Sequence, residues 1–217
     1  MYLSVATRPD FAFAISHLSQ FTTKYSEEHW KATKRVLRYL KKTANFGLCY
    51  RKEPEESLVV HCDAAWGNCA LDRKSQSGFV TVPAGAAVSW ESRKQQPVAL
   101  SSTEAEYVVM SEATKEVIYL GRLLMELLGQ PVQKVMYCDN QGAISLAQNP
   151  VFHKRTKHIA IRYHFVRDAV NNNEFTIVHS PTNKMVADFL TSVALSHQSF
   201  FAVHSNFSFI LILTVIV

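Results

Sequence analysis

Between residues 102 and 128 apolar side chains recur three or four positions apart, at Ala105, Val109, Ala113, Val117, Leu120, Leu124 and Leu127, and the run stops at Gly129. That period predicts one long helix with a continuous apolar stripe, closed by a glycine able to take the left-handed conformation. Such a stripe must be laid against something, and the preceding residues supply the partner. The runs 57–62 (SLVVHC), 78–82 (GFVTV) and 87–90 (AVSW) are short and divided by polar, turn-rich stretches, the pattern of an antiparallel meander. Beyond the long helix, 134–138 (KVMYC) and 175–179 (FTIVH) read as strands, and 142–148, 156–170 and 185–190 as helices. Strands first, then helix and strand in alternation, predict an α/β (α+β) fold with a five-stranded mixed sheet flanked by helices.

Residues 1–50 read as a short helical segment ahead of that unit. Thr7-Arg8-Pro9-Asp10 is a helix start with proline near the first turn, followed by Phe11, Ile15 and Leu18 at helical spacing. A second helix is expected over 27–43, with Trp30, Val36, Leu37 and Leu40 as its apolar positions. Lys31, Lys34, Arg35, Arg38, Lys41 and Lys42 take the remaining surface, a basic face that fits solvation and nucleic-acid contact equally well.

A chain of 217 residues with 47% hydrophobic content buries a real core, which excludes disorder. Its net charge of +5 suits a polyanionic partner without requiring one. Cys49, Cys62, Cys69 and Cys138 show no metal-ligand spacing and read as reduced intracellular thiols, in a cytoplasmic or nuclear protein. His158 and His164 are six apart, the wrong interval for two zinc ligands on one helical face. Trp66 and Trp90 are expected to pack in the interior. The apolar run 207–217 falls short of the roughly 20 residues that span a bilayer, so it reads as a tail rather than a membrane anchor.

Four acids sit where this fold could gather them: Asp63 just after the first strand, Glu106 early in the long helix, Asp139 just after the fourth strand and Asp188 in the last helix. Four carboxylates in a partly desolvated cleft repel one another unless divalent cations intervene, and hard oxygen donors with room for water suit Mg²⁺. Two such ions about 4 Å apart could activate a water and stabilise the leaving oxygen at a phosphodiester. Spacing leaves the alternative of turn formers and helix caps open. Glu104 competes with Glu106, because Ser101 with Glu104 and Thr103 with Glu106 both have capping-box spacing.

The words TRPDFAFAISHLSQF, HWKATKRVLRYLKKT, DRKSQSGFV, VALSSTEAEY, YCDNQGAI, NPVFHKRTKHIAIRYHFVRD and ADFLT, in that order, resemble the end of a copia-type LTR retrotransposon Pol polyprotein. The resemblance implies that residues 1–50 are the end of a reverse transcriptase, that 57–192 form a ribonuclease H-like domain, and that 193–217 are a divergent apolar tail. It implies metal-dependent hydrolysis of the RNA strand of RNA–DNA hybrids, with no small-molecule substrate, and Asp63, Glu106, Asp139 and Asp188 as the catalytic carboxylates. These would hold two Mg²⁺ ions, with Mn²⁺ able to substitute. Glu106 takes the role because Ala105-Glu106-Tyr107 resembles the Ala-Glu-Leu helix motif of retroviral ribonucleases H.

Arg73, Lys74, Arg93, Lys94, Lys154, Arg155 and Lys157 are candidate phosphate contacts. His179 runs almost directly into the last helix and is given no catalytic role. The chain departs from the family pattern at Ala65, Ala160 and Ser192, where the family has Asp, Asp and Lys, and it contains no polymerase palm, so no DNA synthesis is expected. These departures keep a second hypothesis in view, a catalytically silent nucleic-acid-binding remnant of the polyprotein.

Overall fold

The computed structural model describes residues 1–50, 57–149 and 160–192. Its centre is a five-stranded sheet of β1 (Ser57–Ala65), β2 (Gln76–Val82), β3 (Ser89–Lys94), β4 (Gln133–Cys138) and β5 (Thr176–His179), ordered β3-β2-β1-β4-β5. β2 pairs antiparallel with β1 and with β3, whereas β1–β4 and β4–β5 are parallel. The mixed sheet read from the sequence is the one present.

Burial alternates along β1, as a pleated strand demands. Leu58, Val60, Cys62 and Ala64 point into the main core with Ala105, Val109, Ala113 and Val117 of α4 (Ser102–Leu128). The α4 ends lie where the stripe predicts. Ser101 caps its first turn, accepting from the Glu104 backbone N–H at 3.2 Å, and Gly129 closes it at φ +70°. α5 (Gln141–Gln148) and α6 (Ala160–Asn171) complete this face, with the Tyr107 and Tyr163 rings stacked 4.0 Å apart.

The other face is covered around β2 and β3 by the N-terminal helices and by a closing 3-10 turn, Val186–Leu190. Both faces of β2 are therefore buried along its length. A second cluster joins Ala12 and Leu48 to Val80, Val82, Ala87, Phe189 and Leu190. Two hydrogen bonds fasten the segment to the sheet side: Trp90 Nε1 donates to the Ser4 carbonyl at 2.7 Å, and the Tyr50 hydroxyl to the Ala87 carbonyl at 2.8 Å.

Within that segment the chain forms α1 (Tyr2–Ala6), a 3-10 turn Pro9–Phe11, α2 (Ala12–Ser19) and α3 (Glu27–Lys42). Proline starts a tight turn, not the α-helix expected from residues 7–10. The Arg8 guanidinium donates to both Asp10 oxygens (2.9 and 2.6 Å), to the Thr43 carbonyl (3.0 Å) and to the Thr43 hydroxyl (2.7 Å). The Tyr39 hydroxyl donates to Asp10 at 2.8 Å. This buried network ties the segment's start to the end of α3, and a buried ion pair is tolerated only when its remaining polar atoms are satisfied in this way.

Four other expectations are corrected. β1 runs three residues past 62, because Asp63, Ala64 and Ala65 still pair with Gly78, Ser77 and Gln76. β3 covers Ser89–Lys94, not 87–90, since its register is set by β2. The closing helix is a 3-10 turn. Trp30, Leu37 and Trp66, expected inside, are 52%, 57% and 53% exposed. Only the Val36 side of α3 meets the protein closely enough to be buried. The tail and the run holding Lys154, Arg155, Lys157 and His158 lie outside the described residues.

Candidate metal centre

β1 and β4 are parallel neighbours with His61 level with Tyr137. Two residues further along each chain stand Asp63 and Asp139, so the carboxyl ends of adjacent strands, about 4.8 Å apart, each carry an aspartate. Glu106 arrives from one face of the sheet. It sits in the second turn of α4, 4% exposed, where its Oε1 accepts the Ala64 backbone N–H at 2.9 Å and its Oε2 takes the Cys138 thiol at 3.9 Å. Ligand atoms of Glu106, Cys138 and Asp139 all lie within 4.8 Å of one another.

Asp188 arrives from the opposite face, on the closing 3-10 turn. Gly78, level with Asp63 across the β1–β2 pair, lets that turn approach: a Cβ there would stand 2.6 Å from Leu190 Cβ and 2.8 Å from Thr191 Cγ2. Thr191, 1% exposed, donates its hydroxyl to the Asp63 carboxylate, and the same oxygen lies 3.1 Å from the Asp188 carbonyl. On the outer side, the Thr182 hydroxyl donates to Asp139 Oδ2 at 2.7 Å. The structure thus brings all four predicted acids to one end of β1 and β4.

Their electrostatics follow from that crowding. Burial pushes Asp63 up to about 6, opposed by the Thr191 hydrogen bond and helped by the Asp139 charge. Burial, then the charges of Asp63 and Asp139, push Asp188 up to about 7. Burial and the neighbouring Asp63, Cys138 and Asp139 hold Glu106 well above the carboxylate range. Without a compensating cation the cluster cannot be fully ionised near neutral pH without strong repulsion.

Glu104 does different work. Its carboxylate accepts the Leu100 N–H at 2.8 Å, at the entry to α4. The 3.6-residue period places side chains two apart well away from each other, so only one of the two glutamates can meet the strand ends.

Comparison with known proteins bears on the chain as a whole. No protein-family profile matches it. It is 42% identical over 193 residues to the Retrovirus-related Pol polyprotein from transposon TNT 1-94 of Nicotiana tabacum, covering 89% of this chain and 14% of that protein. To the corresponding polyprotein from transposon RE1 of Arabidopsis thaliana it is 43% identical over 197 residues, covering 89% of this chain and 13% of that protein. The chain belongs to the copia-type retrotransposon Pol polyproteins. It spans about a seventh of the length of these Pol relatives. It is also 48% identical over 120 residues to Secreted RxLR effector protein 161 of Plasmopara viticola, covering 55% of this chain and 84% of that protein. Among solved structures, LC11-RNase H1 isolated from compost aligns with a TM-score of 0.49 at 15% identity, over 63% of this chain and 93% of that one.

In this copia-type Pol chain the described basic candidates divide. Lys94 is engaged by Asp72 at 2.9 Å and by Gln20 at 3.1 Å, and Arg93 pairs with Glu91 at 3.3 Å. Arg73 lies on an exposed turn at φ +55°, and Lys74 is half-buried beside it. His179, given no role from the sequence, holds its Nε2 3.1 Å from the Asp139 carbonyl. Thr191 and Thr182 are not singled out by the sequence, and Cys138 reads there only as a reduced thiol without metal-ligand spacing, whereas the structure sets it beside Glu106 and Asp139. Thr191 closes the ADFLT word, and Cys138 precedes Asp139 in YCDN, but neither word indicates a contact with a carboxylate.

Proposed function

We propose that this Pol domain, residues 57–192, is a metal-dependent endonuclease that hydrolyses the RNA strand of RNA–DNA hybrids, preceded in residues 1–50 by the end of a reverse transcriptase. The observation that carries the reading is the gathering of Asp63, Glu106, Asp139 and Asp188 from β1, α4, the end of β4 and the closing turn. The donor set fits a divalent pair: four hard carboxylates, two of them pushed up to about 6 and 7 by burial and by the charge of neighbouring acids, are what Mg²⁺ or Mn²⁺ would neutralise. Bound there, the cations supply a water activated for attack and charge stabilisation at the leaving oxygen.

The chain's own residues hold that arrangement. Glu106 is fixed to the strand by the Ala64 N–H. Thr191 and Thr182 orient Asp63 and Asp139 by donating to one oxygen of each. The buried α4 side excludes water from behind Glu106, and a hybrid would meet the cluster from the half-exposed Asp63, Asp139 and Asp188 side. Discrimination of RNA from DNA rests on the 2′-hydroxyl in the shallow minor groove of the hybrid.

The test is incubation of the purified protein with labelled RNA–DNA hybrid, duplex DNA and either Mg²⁺ or Mn²⁺, beside Asp139→Asn. Metal-dependent cutting of the RNA strand only, lost in the variant, is the expected result. Metal-dependent stabilisation without any cutting would favour the silent remnant, and equal cutting of duplex DNA would overturn the substrate assignment.

A further inference from the structure

α3 carries a charge that its own segment does not balance. Lys31, Lys34, Arg35, Arg38, Lys41 and Lys42 stand against Glu27 and Glu28, a net of +4 on sixteen residues, whereas the whole chain carries +5. Both acids lie in the first turn, where the helix dipole favours them, and Glu27 is paired with Lys31 at 3.0 Å. The helix turns Val36 inward, with Tyr39 and Thr43 bound into the Arg8–Asp10 network. Another stripe, Trp30, Lys34, Leu37 and Lys41, falls at intervals of four, three and four, one line along the helix surface. Trp30 and Leu37 on it are more than half exposed, and Lys34 Nζ lies 5.4 Å from the Trp30 ring centroid.

About half of the indole and leucine surface on this line faces solvent. We propose that this stripe of α3 is a binding surface for an unpaired nucleic-acid strand, separate from the carboxylate cluster. Lys34, Arg38 and Lys41 supply attraction to phosphates, which any polyanion would satisfy. The exposed Trp30 ring narrows the partner. A duplex keeps its base faces stacked inside, whereas an unpaired strand presents them to an aromatic platform beside basic groups. Arg38 and Lys41 lie about 6 and 10 Å further along the axis than Lys34, at about 1.5 Å per residue, so they can follow a strand laid along the helix. An anionic lipid surface fits less well, because it asks for a continuous apolar face, and Val36 is spent inside the protein. The proposal does not depend on cleavage.

The experiment uses the full chain in EDTA, so that no hybrid is cut. Anisotropy of a fluorescein-labelled oligothymidylate is followed across a salt series, with an RNA–DNA hybrid and phosphatidylserine vesicles as parallel arms. Replacing Lys34, Arg38 and Lys41 together by Ala is expected to reduce the slope of log affinity against log salt by about 2, at roughly 0.7 per phosphate contact on a single strand. Trp30→Ala is expected to weaken oligothymidylate binding about tenfold, with the salt slope and the hybrid affinity unaffected. All four residues are on the surface, and melting curves establish that the variants are folded. An unchanged slope in the triple variant, full affinity in Trp30→Ala, or equal losses on oligothymidylate, hybrid and vesicles would each overturn the proposal.

Discussion

The Ala64 backbone N–H donates to the Glu106 carboxylate at 2.9 Å, so a residue of the long helix is fixed to the strand position next to Asp63. Because the bond is made to Oε1, the other oxygen is left toward Cys138 and Asp139. The separate roles of Glu104 and Glu106 then become measurable. Glu104→Ala removes the acceptor of the Leu100 N–H at the helix entry and is expected to cost at least about 1 kcal/mol, with metal-dependent stabilisation intact. Glu106→Gln keeps an acceptor for Ala64 and resembles the uncharged acid that burial favours without metal, so stability in EDTA should hold while the gain from Mg²⁺ disappears. Thermal melts of both variants with and without Mg²⁺ check this, and the reverse pattern would move the metal role to Glu104.

Asp139→Asn tests repulsion within the cluster. The Asp139 charge helps to push up both Asp63 and Asp188, and Asn keeps an acceptor for the Thr182 hydroxyl. In EDTA at neutral pH the variant should melt above the parent. The parent should gain about 2.7 kcal/mol at 100 times the Mg²⁺ dissociation constant, and the variant should lose most of that gain. A parent Tm indifferent to Mg²⁺ would remove the metal centre and the nuclease reading together.

The pH dependence has a definite sign. Asp63 at about 6 and Asp188 at about 7 lie above the ordinary aspartate value of 3.8. Between those limits the folded state holds protons that the unfolded state has released, so stability falls as pH rises. In EDTA the Tm should therefore decline from about pH 4 to about pH 7, with this contribution level beyond. Saturating Mg²⁺ should flatten or reverse the decline. Melts across pH in both conditions decide it, and a Tm in EDTA that climbs over this range would contradict the cluster electrostatics.

Gly78→Ala should act on Asp188 from a distance. The new Cβ would meet Leu190 Cβ at 2.6 Å and Thr191 Cγ2 at 2.8 Å, forcing the closing turn away from β2 at a cost of about 1–3 kcal/mol. Asp188 and the Thr191 hydroxyl move with it, so Mg²⁺ affinity should weaken as well as stability. Denaturant titration paired with a Mg²⁺ series separates the two effects. Unchanged affinity would mean that the turn's approach does not govern the centre.

The long helix was legible because its signals are local: the apolar stripe, the cap at Ser101 and Gly129 just beyond the end. The three-residue extension of β1 was not, since Asp63, Ala64 and Ala65 are strand only by pairing with β2. Glu104 and Glu106 share the same capping pattern, and what parts them is which side of α4 faces the strand ends. Thr191 gave no signal at all, because its hydroxyl finds Asp63 across 128 residues of chain. The exposed side of α3 was misread for the opposite reason: its apolar residues have helical spacing, yet the helix meets its neighbours along only one narrow side.

The bonds from Trp90 to Ser4 and from Tyr50 to Ala87 clasp the helical segment at both ends, with Ala12 and Leu48 packed between. Peeling the segment away would wet Val80 and Val82 and strip one side of β2. The free energy of opening the helices is thereby coupled to that of opening the sheet. Amide exchange in α2 and in β2 should then share one rate-limiting event, as expected of a single cooperative folding unit assembled from two stretches of chain.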